Sequence, residues 1–311
     1  MKRLIVLSVL ALAAQPGLSQ DKVNIGISGW TGFAPLTLAL QAGIFKKNGV
    51  EATIKKIPQQ SRHLAIASGD IQCAATTVET WLVWNANGVL TKQIFQLDKS
   101  FGADGMATRA NIAKIADLKG KTIGSQAPGT SPYFVMAWML KKNGLTPKDV
   151  TVVSIDPGPA AQAFLAGQYD AVMTYEPYLS SIRAKPDAGK IIATTLDYPV
   201  VMDTFGCTPK YLAENGRAAR AMTQSYFQAL EMIAKEPQKA YEIMGADVKQ
   251  SGEQFANSAK YLRWQDRGAN QKFFAGELQA FLKEAGQILL EIGIIKSMPD
   301  VNSTIDTSYI K

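Results

Sequence analysis

The chain has 311 residues, 33 of them Lys or Arg and 26 Asp or Glu, with a formal net charge of +7. The basic residues are scattered in pairs such as Lys46-Lys47, Lys55-Lys56 and Lys141-Lys142, which read as solvated helix ends rather than a clustered basic face with interleaved aromatics, so a nucleic-acid partner is excluded. Two cysteines without a CxxC and a single histidine, His63, exclude a zinc site or a histidine-rich metal cluster.

The chain opens on Met1-Lys2-Arg3, followed by the apolar run Leu4 to Ala14 and then small residues. A basic start, a short apolar stretch and small residues together predict a signal peptide over 1–20, too short to span a bilayer. No cysteine stands near the expected cleavage region, so no lipid anchor is expected there. The expectation is a soluble, exported, periplasmic protein of about 290 residues after cleavage, enough for two domains. Cys73 and Cys207 each sit in an apolar strand pattern and are expected as two buried thiols, although an oxidising compartment leaves pairing open.

Taken in order, Val23 to Ile27 reads as a strand, Ser28 to Gly32 as a turn, and Pro35 opens a helix that Gly43 stops. Val50 to Ile57 alternates as a strand, Gln59 to Ala67 is helical, and Ile71 to Ala75 is a short apolar strand. Thr76-Thr77 precedes a helix running to about Asn87, and Ile94 to Leu97 is the next strand. A second series begins near Asn111. Its strands are Lys121 to Gly124, Val150 to Ile155 and Ala171 to Thr174; between them lie helices at about Ser131 to Asn143 and Ala160 to Ala166, and Pro177 opens another. After a strand at Thr204 to Thr208 the chain is helical: Gly216 to Lys235, Pro237 to Met244, Val248 to Tyr261 and Lys272 to Ile292.

Strand–helix alternation with short connections predicts an α/β fold of mainly parallel sheets flanked by helices. The expected organisation is two-lobed: residues 22–106 with 196–311 form lobe one, 107–195 form lobe two, and two hinge crossings let the lobes close on a ligand.

The segments Gly32-Phe33-Ala34-Pro35 with LALQAGIFKKNGVE, AIASGDIQCA at 65–74, FGADGMATR at 101–109, IADLKGKTIGS at 115–125, PGTSPYF at 128–134 and AFLAGQYDAVMTYEPY at 163–178 occur in an order that spans nearly the whole mature chain. Each is common alone; as an ordered set they resemble the nitrate/taurine/alkanesulfonate group of solute-binding proteins that serve ABC importers. The resemblance implies the type II periplasmic-binding-protein fold, a ligand site in the cleft, a membrane permease as partner, a monomer, no cofactor and no catalytic role.

In open α/β sheets ligands lie beyond the carboxyl ends of strands, so the candidate ligand-binding residues stand in the turns there. Trp30 and Thr31 follow the first strand, and the indole offers a flat wall. Gln60, beside Gln59, follows the second and both donates and accepts. Thr77 and Glu79 start the helix after the third; Trp81 and Trp84, three apart, read as core. Ser125, Thr130 and Ser131 surround the first turn of lobe two, where free amides and hydroxyls suit a carboxylate or sulfonate, with Tyr133 a weaker candidate. Glu176 precedes Pro177 at the end of a strand, and Asp203 and Asp104 lie near the two crossings.

Several carboxylates facing one cleft require positive charge or many donors in the ligand, because an unpartnered buried carboxylate costs several kcal/mol. The sequence therefore favours an amine-bearing, guanidino, aminopyrimidine-like or zwitterionic solute over a sulfonate or nitrate. A pyrimidine-synthase-like enzyme, a relative of the same fold, is the competing class. It needs a substrate histidine and a cysteine-rich motif, and His63 has no such motif beside it.

Overall fold

The computed structural model describes residues 21–311; the predicted signal peptide lies outside the described residues. Eleven strands form two sheets. The first contains β1 (Asp21–Ile27), β2 (Val50–Lys56), β3 (Cys73–Thr77), β4 (Lys92–Ser100), β10 (Met202–Cys207) and β11 (Leu262–Trp264), in the order β11-β4-β10-β3-β1-β2. The second contains β5 (Asp104–Thr108), β6 (Thr122–Ser125), β7 (Thr151–Ser154), β8 (Ala171–Tyr175) and β9 (Lys190–Thr194), in the order β7-β6-β8-β5-β9. Helices flank both, which is the α/β architecture that the alternation predicts, but the sheets are mixed rather than mainly parallel, because the strands at the crossings pair antiparallel.

Each sheet combines parallel pairs joined by helical crossovers with antiparallel pairs made by the strands at the crossings. β1 pairs parallel with β2 and β3, whereas β10 runs antiparallel to both β3 and β4. In the second sheet β6 pairs parallel with β7 and β8, and β5 antiparallel with β8 and β9. β5 carries residues 104–106, which the sequence assigns to lobe one, into the second sheet.

The centre of the first sheet is buried on both faces: every residue of β3 and of β10 is buried. Small residues there admit large neighbours. A Cβ at Gly206 would stand 3.0 Å from the Trp81 ring and 2.6 Å from Lys92 O, so only glycine lets the indole lie this close. Phe95 and Phe205 stack with centroids 4.9 Å apart, a pair worth about 0.5–1.5 kcal/mol beyond its burial.

Cys73 and Cys207 are bonded to each other, which corrects the expectation of two free thiols. The reason is register: they are direct partners on antiparallel β3 and β10, with Cα atoms 4.0 Å apart.

The first helix of the second unit, Ser131–Lys142, ends as its sequence predicts. Gly144 takes a positive φ of 75°, and Gly144 and Leu145 return their amides to Lys141 O and Leu140 O, satisfying the last carbonyls. The helix also packs back onto the carboxyl-terminal Leu278–Glu291 helix: Trp138 stacks on Phe281 at 6.1 Å, and Lys141 and Lys142 pair with Glu291 and Glu284.

Two expected helices are shorter than their patterns. Val248 to Tyr261 is helical only over Gly252–Ala259, because Lys249 adopts a φ of 59° and Ser251 with Gln254 closes a capping box that starts the helix anew. Lys272 to Ile292 is interrupted by a π turn over Phe273–Glu277, where Gly276 has a φ of 155°.

The two crossings are laced to each other. Ser100 Oγ lies 2.6 Å from Thr195 Oγ1, which also accepts from Gly102 N at 2.9 Å, and Ser100 N donates to Val201 O at 3.0 Å. Asp104 N donates to Ser100 Oγ at 3.1 Å, so β5 departs from a fixed point beside the end of β4.

Candidate functional site

Between the sheets lies a narrow, partly open cavity of about 20 Å³. That is room for about one water molecule, well below the roughly 300–1,000 Å³ of a pre-formed small-molecule pocket, so a solute needs the two sides to part. The first sheet and its turns supply Ser28, Trp30, Gln59, Arg62, Thr77 and Asp203; the second unit supplies Asp104, Ser131 and Tyr175. The Trp30 and Tyr175 rings meet edge to face at 5.3 Å, closing the cavity from opposite sides.

The polar wall is built by strand register. Asp203 on β10 is the direct partner of Thr77 on β3 and of Asp98 on β4, and directly opposed residues share a sheet face. Asp98 Oδ1 accepts from the Trp30 indole N–H at 3.2 Å, fixing the ring that lines the cavity. Glu79 lies one layer behind Thr77, whose hydroxyl donates to Glu79 Oε1 at 2.5 Å. Asp104, at the start of β5, comes from the other side.

Burial dominates the charge state of this wall. It raises the Glu79 carboxyl to about 7, against the hydrogen bond from Thr77. It raises Asp98 to about 8 and Asp104 to about 7, with Glu176 adding like-charge repulsion at Asp104. Asp203 is pushed well above the carboxylate range by burial and by Asp98, Asp104 and Glu79, with Arg62 opposing. Three buried acceptor oxygens, Glu79 Oε2, Asp98 Oδ2 and Asp104 Oδ2, have no protein hydrogen-bond partner, and neither has the buried Ser131 hydroxyl.

Arg62 is the single cationic residue lining the cavity. Desolvation lowers its guanidinium to about 10, so it stays charged at neutral pH. Its donors are largely engaged: Nε and Nη2 reach Ile57 O at 3.3 and 3.0 Å, and Nη1 donates to Ala75 O. Gln59, on the same face of the Gln59–Ala67 helix, spans the cavity wall. Its amide nitrogen donates to Thr76 Oγ1 at 2.8 Å and Thr80 Oγ1 at 3.0 Å, and its oxygen accepts from Ser131 N at 3.2 Å.

Five of the twelve candidates from sequence, Trp30, Thr77, Asp104, Ser131 and Asp203, line this cavity, and Tyr133 does not. Glu79 is behind it. The other five stand elsewhere. Gln60 is exposed and lines an outer groove with His63, Trp84 and Thr130; one residue along a helix is a rotation of about 100°, which hands the cavity to Gln59 instead. Thr130 turns its hydroxyl back to Ala127 O at 2.7 Å. Thr31 and Ser125 are fully buried beneath the surface of the site, and their hydroxyls lack partners.

Glu176 is a brace at the crossing: its carboxylate accepts from Arg183 and, at 3.2 Å, from Ser180 N, while Arg183 Nη2 donates to Gly102 O at 3.0 Å. Trp81 is core, as its spacing predicts, with its N–H on Thr204 Oγ1 at 2.7 Å.

Arg62 and Asp98 are the functional-wall residues that the turns did not point to. Arg62 stands three residues after Gln59, hence on its face, which is the signal available for it. Asp98 lies inside a strand, and only its pairing with β10 brings it here. Among the described residues no three His, Cys, Asp or Glu side chains are grouped to hold a metal ion, and no helix is long and apolar enough to cross a membrane.

The family model described as NMT1/THI5 like matches residues 30–240. The taurine-binding periplasmic protein of Escherichia coli K12 is 23% identical over 97% of this chain and 97% of its own length. Among solved structures, the alkanesulfonate-binding protein SsuA from Xanthomonas axonopodis pv. citri superposes with a TM-score of 0.81 at 17% identity, covering 95% of this chain and 100% of that one. The periplasmic nitrate-binding protein NrtA from Synechocystis PCC 6803 superposes with a TM-score of 0.76 at 16% identity, covering 94% and 87%. These two likenesses establish the fold.

Proposed function

The chain belongs to the NMT1/THI5-like family, and from that premise we propose that it is the periplasmic solute-binding component of an ABC importer, capturing a small solute that bears a cationic nitrogen. The observation that carries the reading is the composition of the cavity between the sheets. Asp203 from the first sheet and Asp104 from the second face it together, Glu79 and Asp98 stand behind its walls, and Arg62 is its one cation. A nitrogen with N–H groups supplies positive charge beside these acids and a donor for Asp104 Oδ2, a lining oxygen that has no protein partner.

On this reading the sheets are the cores of two lobes that meet at the laced crossings. Solute first meets Trp30, Thr77 and Asp203, and closure brings up Asp104, Ser131 and Tyr175 around it. Closure is driven by the extra contacts available only in the closed form. The closed protein then presents itself to the permease. The role is capture and delivery rather than catalysis. The basic-apolar leader expected over 1–20 supports export.

A second reading, an anionic sulfonate-type solute, is favoured by Arg62 in the cavity and by the name of the alkanesulfonate-binding structural neighbour.

A thermal-shift series on the purified chain separates them, since a ligand that binds the folded state raises the melting temperature with its concentration. Amines, guanidines and aminopyrimidines are expected to raise it, and simple alkanesulfonates and nitrate to leave it unmoved. The reverse pattern overturns the proposal in favour of the anionic reading.

A further inference from the structure

We propose that Gln59 is a specificity-determining residue that keeps anionic groups away from the start of the Ser131–Lys142 helix. The inference deepens the reading above and rests on it only for the cationic character of the ligand.

A helix start attracts anions because its first amides point outward with no intrahelical acceptor. In this helix of 12 residues the first amide, Ser131 N–H, is already occupied: it donates to Gln59 Oε1 at 3.2 Å. An N–H only donates, so it fixes which end of the Gln59 carboxamide faces it. The other end is anchored on the hydroxyls of Thr76 and Thr80, which stops the amide from turning away. Gln59 thus stands where the oxygen of a carboxylate or sulfonate would stand, with a neutral oxygen of the protein's own.

Two further observations mark this as a ligand-facing position. Ser131 Oγ is buried, has no protein partner and lines the cavity. Thr130, placed to cap the helix, instead turns its hydroxyl to Ala127 O. The remaining attraction for an anion, Arg62, has its three nitrogens on the carbonyls of Ile57 and Ala75. An anion seating on Ser131 N–H must displace Gln59 from it and also face Asp104 and Asp203. A cation meets neither obstacle.

The test uses isothermal titration of the full chain with ethanesulfonate and with a guanidine, for wild type, Gln59→Ala and Gln59→Glu. Circular dichroism and the melting temperature check folding. Ethanesulfonate is expected to bind Gln59→Ala at least tenfold more tightly than wild type, and to leave Gln59→Glu, whose carboxylate fills the same position, without that gain. Gln59→Ser, which also frees the amide, replaces Gln59→Ala if the latter does not fold. A folded alanine or serine variant with no gain, or an equal gain in Gln59→Glu, overturns the assignment. If the sulfonate gain appears while the guanidine binds none of the three proteins, the role of Gln59 stands and the cationic-ligand reading falls.

Discussion

Asp203 on β10 lies directly opposite Asp98 on β4, and both carboxyls are buried, 2% and 0% exposed. Two acids held this way cannot both ionise without a counter-charge, because each pays for burial and repels the other. Asp98 gains a bond from Trp30 and a side-chain hydrogen bond with Asp203 itself, and Asp203 has Arg62 among its neighbours. On the proposed reading, a cationic ligand relieves the cost of this pairing.

The first consequence is a pH dependence with a definite sign. Glu79, Asp98 and Asp104 titrate at about 7, 8 and 7 in the folded chain, and Asp203 higher than its ordinary value. In the unfolded chain they release their protons near pH 4. Between those values the folded state binds more protons, so stability falls as pH rises, and the cost is complete only above about pH 8. The melting temperature of the ligand-free chain is expected to rise by several degrees from pH 8 to pH 6. The double variant Asp98→Asn/Asp203→Asn is expected to flatten that slope. Scanning calorimetry at the two pH values checks it; an unchanged or falling melting temperature contradicts it.

Gly32 sits under this wall. A Cβ there would lie 2.2 Å from Trp30 Nε1 and 2.3 Å from Asp98 Oδ2. Gly32→Ala is therefore expected to cost about 1–3 kcal/mol through overpacking and to displace the indole. Urea denaturation and tryptophan fluorescence read the two effects, and a variant as stable as wild type with an unchanged spectrum refutes the packing.

Glu176 predicts a stability effect larger than its binding effect. Its carboxylate is fully buried and engaged by Arg183 and Ser180 N, away from the cavity. Glu176→Ala leaves both donors without their acceptor, at a cost of roughly 2–4 kcal/mol. Ligand affinity is expected to change less than tenfold. Parallel denaturation and titration decide whether the carboxylate is a brace or a ligand contact.

The bond between Cys73 and Cys207 closes a separation of 134 residues and lies at the opposite end of the β3–β10 pair from Thr77 and Asp203. Cys73→Ala/Cys207→Ala is expected to lose about 2–5 kcal/mol of stability and to bind ligand within twofold of wild type. Loss of binding in a folded double variant contradicts that separation.

The strand ends made much of the site legible. Trp30, Thr77, Ser131 and Asp203 stand in or beside turns at strand ends, and the order of strands and helices located those turns. What stayed hidden depended on quantities that a linear reading lacks. The choice between Gln59 and Gln60 is a helix rotation, fixed by the acceptors on Thr76 and Thr80. Arg62 carries no mark of burial in the linear sequence; its burial depends on carbonyls offered by Ile57 and Ala75, distant along the chain from one another. Asp98 and the cysteine pair are matters of register, which β10 sets by running antiparallel between β3 and β4. Glu176 had the right residue type beside the right turn, and its partner, Arg183, lies one short helix further on.

On the proposed reading the acidic wall holds a cationic nitrogen. This is tested most directly by titrating the cationic ligand found in the thermal-shift series into wild type and Asp203→Asn at pH 8. The account predicts that the substitution weakens binding at least tenfold, about 1.4 kcal/mol. Equal affinity in wild type and Asp203→Asn, or tighter binding of an alkanesulfonate than of any cation to the wild type, contradicts it.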